Sequence, residues 1–214
     1  MLDLRQLPLR IGVFYDGWTL RKVSNYYRYQ HARQSRLSFQ GLHAAAQSVI
    51  TANWGQCRVV EAHLFCGIPS PQQSRLGMVP PSPQFEEVTR RCGISVHHQP
   101  LGSRGEKGVD VDLSLEALDA AISGRINTAV LFATDGDFVP LVEKLKRLGV
   151  KVLLLGWHLA HIGPPAKPIW LSARLSDSAT FCLMMSDEIE SPASLDRGHV
   201  DDLFVCPKTL AACA

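Results

Sequence analysis

Thr128–Gly156 reads TAVLFATDGDFVPLVEKLKRLGVKVLLLG. TAVLFA (Thr128–Ala133) is nearly all apolar, and Val150–Leu155 repeats the pattern with one lysine. Short apolar runs of this kind suit strands covered on both faces. Between them, Phe138–Leu148 is amphipathic at helical spacing and is closed by Gly149. Two buried strands joined by such a helix predict a parallel strand–helix–strand unit.

The rest of the chain extends this unit. Leu9–Tyr15 (LRIGVFY) reads as another buried strand, ended by Asp16 and Gly17. Leu42–Trp54 predicts a helix with Leu42, Ala45, Ala46, Val49 and Ile50 on one face. Arg58–Cys66 and Ile94–His98 predict strands, Phe85–Cys92 a short helix, and Gly67 to Gln84 a Pro-, Ser-, Gln- and Gly-rich loop. Leu101–Gly108 is a glycine-bearing loop before a helix over Val109–Ser123. Trp157–Pro168 is a loop, Ile169–Leu171 a further strand, and Ala173–Met185 a final helix. Strands alternating with helices predict a Rossmann-like three-layer α/β/α sandwich with a mainly parallel central sheet.

The chain has 214 residues, enough for one domain with an extension. The domain is expected over residues 1–185. Residues 186–214 are rich in acids and few in apolar groups, and are expected to form a flexible tail, dispensable for folding and open to a protein partner. No run approaches ~20 apolar residues, so no membrane span is expected. MLDLRQLPLRIGVF lacks a secretory apolar core, which points to a cytoplasmic protein. The six cysteines form no Cys-x-x-Cys pair. His63-x-x-Cys66 and His158-x-x-His161 have the spacing of zinc half-sites but no second half.

Charge is uneven. Residues 1–105 carry 12 Lys+Arg against 5 Asp+Glu, a balance of +7, and residues 106–214 carry 10 against 15, a balance of −5. The basic half suits a polyanion and the acidic half a hard cation. Arg21–Gln40 interleaves Arg28, Arg33 and Arg36 with tyrosines including Tyr27. Cations with interleaved aromatic rings suit phosphates and unpaired bases, so these four are candidate RNA contacts.

In parallel α/β sheets, ligands bind beyond the carboxyl ends of the strands. Asp16 follows the first strand, Asp135 and Asp137 follow TAVLFAT, and Asp110 opens the helix after the glycine loop. Three separate segments thus bring acids to one edge, where a divalent cation would offset their repulsion. Asp110 and Asp112 lie about 200° apart around a helix. Asp110 shares its face with small residues and is the site candidate. Glu116, on the stripe of Asp112 and Asp119, is a secondary one.

IGVFYDG (Ile11–Gly17), EKGVDVDLSLEAL (Glu106–Leu118) and the segment Ala133–Gly156 resemble, in order and spacing, the NYN domain of the PIN-like nuclease superfamily. The resemblance implies a Rossmann-like sheet and a ribonuclease site dependent on Mg2+ or Mn2+. It matches the family's acid after the first strand with Asp16, its Lys-Gly-x-Asp segment with Lys107, Gly108 and Asp110, and its later acids with Asp135 and Asp137. Thr19 stands where the family often has Asn, keeping a hydroxyl but not an amide. RNA is the implied substrate, with Lys107 near a phosphate and Thr19 orienting a ligand. A homodimer is a further expectation, and a non-catalytic RNA-binding or scaffolding module is the alternative.

Other chemistries fit poorly. A haloacid-dehalogenase phosphatase needs a nucleophilic aspartate where this chain has Phe14. YDGWTLRKV lacks Gly-x-Gly-x-x-Gly, and neither a P-loop nor Gly-x-Ser-x-Gly occurs.

Overall fold

The computed structural model describes residues 7–69, 82–100, 108–160 and 168–205. One sheet contains β1 (Leu9–Asp16), β2 (Cys57–Ile68), β3 (Ile94–Pro100), β4 (Thr128–Phe132), β5 (Lys151–Gly156) and β6 (Phe181–Met184). Their order is β3-β2-β1-β4-β5-β6, and every neighbouring pair is parallel. The helices are α1 (Gly17–Tyr29), α2 (Phe39–Trp54), α3 (Pro83–Arg91), α4 (Val109–Ile122), α5 (Val139–Arg147), α6 (Ala173–Ser178), α7 (Met185–Glu190) and α8 (Arg197–Asp202). This is the expected α/β sandwich.

Period-two alternation explains the apolar runs. Val13, Tyr15, Val130, Phe132, Leu153 and Leu155 face one core, shared with α1 and α2. Phe14, Leu131, Val152 and Leu154 face the other, shared with α4 and α5. Each strand is thus buried on both sides. The predicted α2 face (Leu42, Ala45, Ala46, Val49, Ile50) is the buried one.

Three expectations are corrected. Ala173–Met185 is not one helix: α6 ends at Ser178 and the chain then adds β6 beside β5. Thr180 pins the turn, its N–H donating to the Val152 carbonyl at 3.0 Å while its Oγ1 accepts from Val152 N–H at 3.0 Å. Ile169–Leu171 is not a strand; Ile169 makes only an isolated antiparallel bridge with Leu159.

The third correction concerns the tail. Residues 186–205 pack on the domain, with Ile189, Leu195, Val200, Leu203 and Phe204 joining the core of α1 and α2. Backbone bonds clamp the segment, Ser38 N–H to the Leu203 carbonyl at 2.8 Å and Val205 N–H to the Arg36 carbonyl at 2.9 Å. A Cβ on Gly41 would lie 1.9 Å from the Asp202 carbonyl oxygen, so α8 sits directly on the α2 backbone. Most of the acids point outward while Glu188 and the few apolar residues face inward, and composition alone conceals that division. Residues 206–214 lie outside the described residues.

Candidate active site

Chain order along the sheet reverses between β1 and β4: β2 and β3 lie to one side, β5 and β6 to the other. At such a switch point the connections diverge and leave a crevice beyond the carboxyl ends. Asp16 ends β1 and Asp135 follows β4, so both stand at this crevice.

Asp16 caps α1, and Oδ1 accepts from Trp18 N–H at 3.0 Å. Its Oδ2 accepts from the Thr19 hydroxyl. Thr19 Oγ1 also lies 3.3 Å from Thr134 Oγ1, tying the end of β1 to the end of β4. Gly17 permits the sharp strand-to-helix turn, because a Cβ there would lie 2.4 Å from the Phe65 carbonyl oxygen. Asp16 is 6% exposed, and Thr19 is also buried. Across the crevice, Asp135 Oδ1 accepts from Asp137 N–H at 3.0 Å and caps the 3-10 turn Gly136–Phe138. Asp135 and Asp137 are exposed.

Asp110 enters from α4, whose start is set by Gly108 at φ +86 with no side-chain cap. Its carboxyl is held above the ordinary carboxylate range. Partial burial is the largest cause, followed by the negative charges of Asp16, Asp135 and Asp137. The four acids therefore share one electrostatic neighbourhood. Asp112 turns away, its Oδ2 accepting from Gln99 Nε2 at 3.0 Å. Glu116 is engaged by Arg125, which also binds Glu61 and Asp119, so this stripe serves an ion-pair network.

The donors fit a hard cation. They are all carboxylate oxygens, and Asp110 feels the negative charges of the other three. Among the described residues no group of three or more His, Cys, Asp or Glu forms a ready cage. A hard cation such as magnesium keeps several waters and needs only one or two carboxylates directly.

Of the expected RNA contacts in the basic stretch, Tyr27 is corrected by its burial. Tyr27 is 1% exposed and packs against Phe204, so its ring cannot stack on a base. Arg28 Nη1 donates to the Gln34 carbonyl, and Arg36 donates to Asn25 Oδ1 and Tyr29 Oη. Arg33 pairs with Asp201 at 2.9 Å and lies over the Phe204 ring. These side chains hold the turn after α1 and dock α8. Lys107 lies outside the described residues, as does His161. His63 pairs not with Cys66 but with His97, Nδ1 to Nε2 at 3.0 Å.

An open cleft of about 390 Å3 runs along the crevice, lined by Asp16, Trp18, Thr19, Lys22, Asp135 and Trp170 among others. Trp18 and Trp170 are cleft residues that motif reasoning missed, whereas Lys22 belongs to the basic stretch Arg21–Gln40 expected to meet nucleic acid. Trp18 sits inside YDGWTL, whereas Trp170 is brought in by a bond from Ser172 N–H to the Thr134 carbonyl at 2.9 Å. Spacing in the sequence carries no sign of that second approach.

Comparison with known proteins agrees with this architecture. The model of the NYN domain family matches residues 10–167. A protein of unknown function from Vibrio parahaemolyticus RIMD 2210633 has a similar solved structure, with TM-score 0.52 and 21% identity, covering 88% of this chain and 98% of that one. That likeness shows the fold alone. A chain from Parabacteroides merdae ATCC 43184, described only provisionally as an oxidoreductase, gives TM-score 0.28 and 11% identity over 84% of this chain and 32% of that one. At that score it carries no argument. No curated protein matches the sequence. No helix among the described residues is long and apolar enough to cross a membrane.

Proposed function

This chain belongs to the NYN domain family, with a PIN-like nuclease-type fold, and on that premise we propose that it is a divalent-metal-dependent ribonuclease hydrolysing RNA phosphodiester bonds. The observation that carries the proposal is the meeting of Asp16 and Asp135, from adjacent strands, in one cleft at the switch point. NYN domains are generally RNA-associated, and PIN-like nuclease domains generally use divalent metals.

Asp16 and Asp135 are the residues that would hold Mg2+ or Mn2+, directly or through water. The bound ion supplies a Lewis acid that makes water a nucleophile near neutral pH and offsets charge on a phosphorane-like transition state. Asp110 or Asp137 would position the attacking water. Thr19 fixes the Asp16 carboxylate by its short bond, which gives the hydroxyl at this position a positioning role. Lys107 would neutralise a substrate phosphate. No covalent enzyme intermediate is needed.

The second reading, a non-catalytic RNA-binding or scaffolding module, is favoured by Thr19 standing where the family often carries Asn. A cleavage assay on structured and unstructured RNA, with and without manganese, separates the two. Metal-dependent cleavage lost in Asp135→Asn supports the ribonuclease. No cleavage of any RNA by the parent protein with manganese present supports the module.

A further inference from the structure

The chain has four tryptophans. Trp157 is fully buried and Trp54 is partly buried against the core. The other two, Trp18 at 50% exposure and Trp170 at 56%, both line the carboxylate cleft. An indole is costly to leave in water, and here two converge on one site.

The topology sets them on opposite flanks. Trp18 is in the first turn of α1, immediately after β1. Trp170 follows the Leu159–Ile169 bridge in the connection beyond β5. In the sheet β4 lies between β1 and β5, so the Asp135 edge has one indole from each neighbouring side. The two rings are also held differently. The Lys22 ammonium sits 4.7 Å from the Trp18 ring centroid. Trp170 has the edge of His158 against it, with ring centroids 4.2 Å apart at 76°.

We propose that Trp18 and Trp170 are a pair of stacking platforms for unpaired nucleobases on either side of the phosphate presented to the carboxylates, which makes a single strand rather than a duplex the preferred ligand. This rests on the nucleic-acid reading of the same cleft. Each element has a physical role. Any base offers a π-face to an indole, so stacking is tolerant of sequence. Lys22, beside Trp18, places a positive charge within reach of the backbone of a stacked nucleotide. A duplex keeps its bases stacked on one another and cannot offer those faces without unpairing. The pair takes the stacking role that the sequence gave to Tyr27, which is buried.

The test measures binding by fluorescence anisotropy, in calcium, of one labelled oligoribonucleotide alone, the same strand annealed to its complement, and the DNA strand of the same sequence. The parent protein is compared with Trp18→Ala, Trp170→Ala and the two Trp→Phe variants, each checked for an unchanged melting temperature. The parent is expected to prefer the single RNA strand. Each Ala variant is expected to lose roughly fivefold or more of that affinity, while Phe retains most of it and duplex binding stays unchanged. Equal, Trp-dependent binding of the DNA strand also supports the platforms and assigns them to single strands of either sugar. Unchanged single-strand affinity in both Ala variants, or duplex binding as tight as single-strand binding, overturns the inference. The two proposals fail separately. Metal-dependent cleavage with Trp-independent binding removes the platforms and leaves the ribonuclease. Trp-dependent binding with no cleavage removes the ribonuclease and leaves the platforms.

Discussion

Two regions of this molecule are rich in charge, and they use it in opposite ways. On the α1–α8 face, Arg28, Arg33 and Arg36 each have a partner within the chain: a carbonyl, a carboxylate, an amide oxygen or a tyrosine hydroxyl. At the switch-point edge, partial burial and then the negative charges of Asp16, Asp135 and Asp137 raise the proton affinity of Asp110. A charge held by its own fold contributes to structure. Like charges gathered at one edge are the electrostatic setting in which a divalent cation is proposed to bind.

The sharpest break of this contrast is Asp135→Asn. Asparagine keeps a cap acceptor for the turn that begins at Asp137 N–H and removes one negative charge. Cleavage with manganese is expected to disappear, while the metal-free melting temperature holds or rises. Asp112→Asn, whose carboxylate is taken by Gln99, is expected to leave cleavage intact, and an RNA gel assay reads both. A large metal-free loss of stability in Asp135→Asn would make Asp135 a structural cap instead.

On the opposite face the large effects are on folding. Leu203 is fully buried, so Leu203→Ala is expected to cost about 2–5 kcal/mol. For a chain of this size that is on the order of 5–20 °C in melting temperature, read by thermal denaturation. Truncation after Met185 removes Ile189, Leu195, Val200, Leu203 and Phe204 together and is expected to give insoluble protein. Soluble truncated protein with the parent melting temperature would restore the picture of a detached tail.

A smaller effect follows pH. Burial tends to raise the Glu188 carboxyl, but amide donors from Ala193, Leu195 and Ser194 outweigh it and hold the group below 4.5. Because the folded value is depressed, the carboxylate contributes stability above pH 4.5. That contribution is lost as pH falls through the lower folded value. Glu188→Gln is expected to lower stability at neutral pH and to flatten the acid limb of a melting-temperature series. An unchanged acid limb would remove Glu188 from the docking of this segment.

The smallest change is expected on nucleic acid. Arg28, Arg33 and Arg36 replaced together by Ala should change RNA affinity and its salt slope less than the cleft substitutions do, because Tyr27, the ring beside them, is sealed from any base. A reduced slope would return an RNA path to that face.

Much of this division was legible before any coordinates. β1, β4 and β5 announce themselves by unbroken apolar runs, and Asp16, Asp135 and Asp137 stand just past two of them, while Asp110 is marked by the glycine loop and the helix that it opens. Residues whose role depends on distant approach were not legible. Tyr27 and Trp18 are both aromatic residues of α1, yet one is sealed by Phe204 and the other opens on the cleft. β6 is four residues long and follows α6 after two residues, so its alternation merges with the helical pattern before it. The clamp of α8 on Gly41 joins positions far apart in sequence and visible only in space.

β1 lies between β2 and β4, and Arg10 N–H reaches Asn127 Oδ1 at 2.8 Å across 117 positions of chain. During synthesis, one flank of the central strand therefore waits for more than a hundred residues to emerge before it finds its neighbour. Assembly governed by such distant partners is slow, because the loop must close before the pairing rewards it. Until then the strand edge of the nascent chain has no neighbour on that flank, the condition in which an apolar strand is most open to wrong pairing.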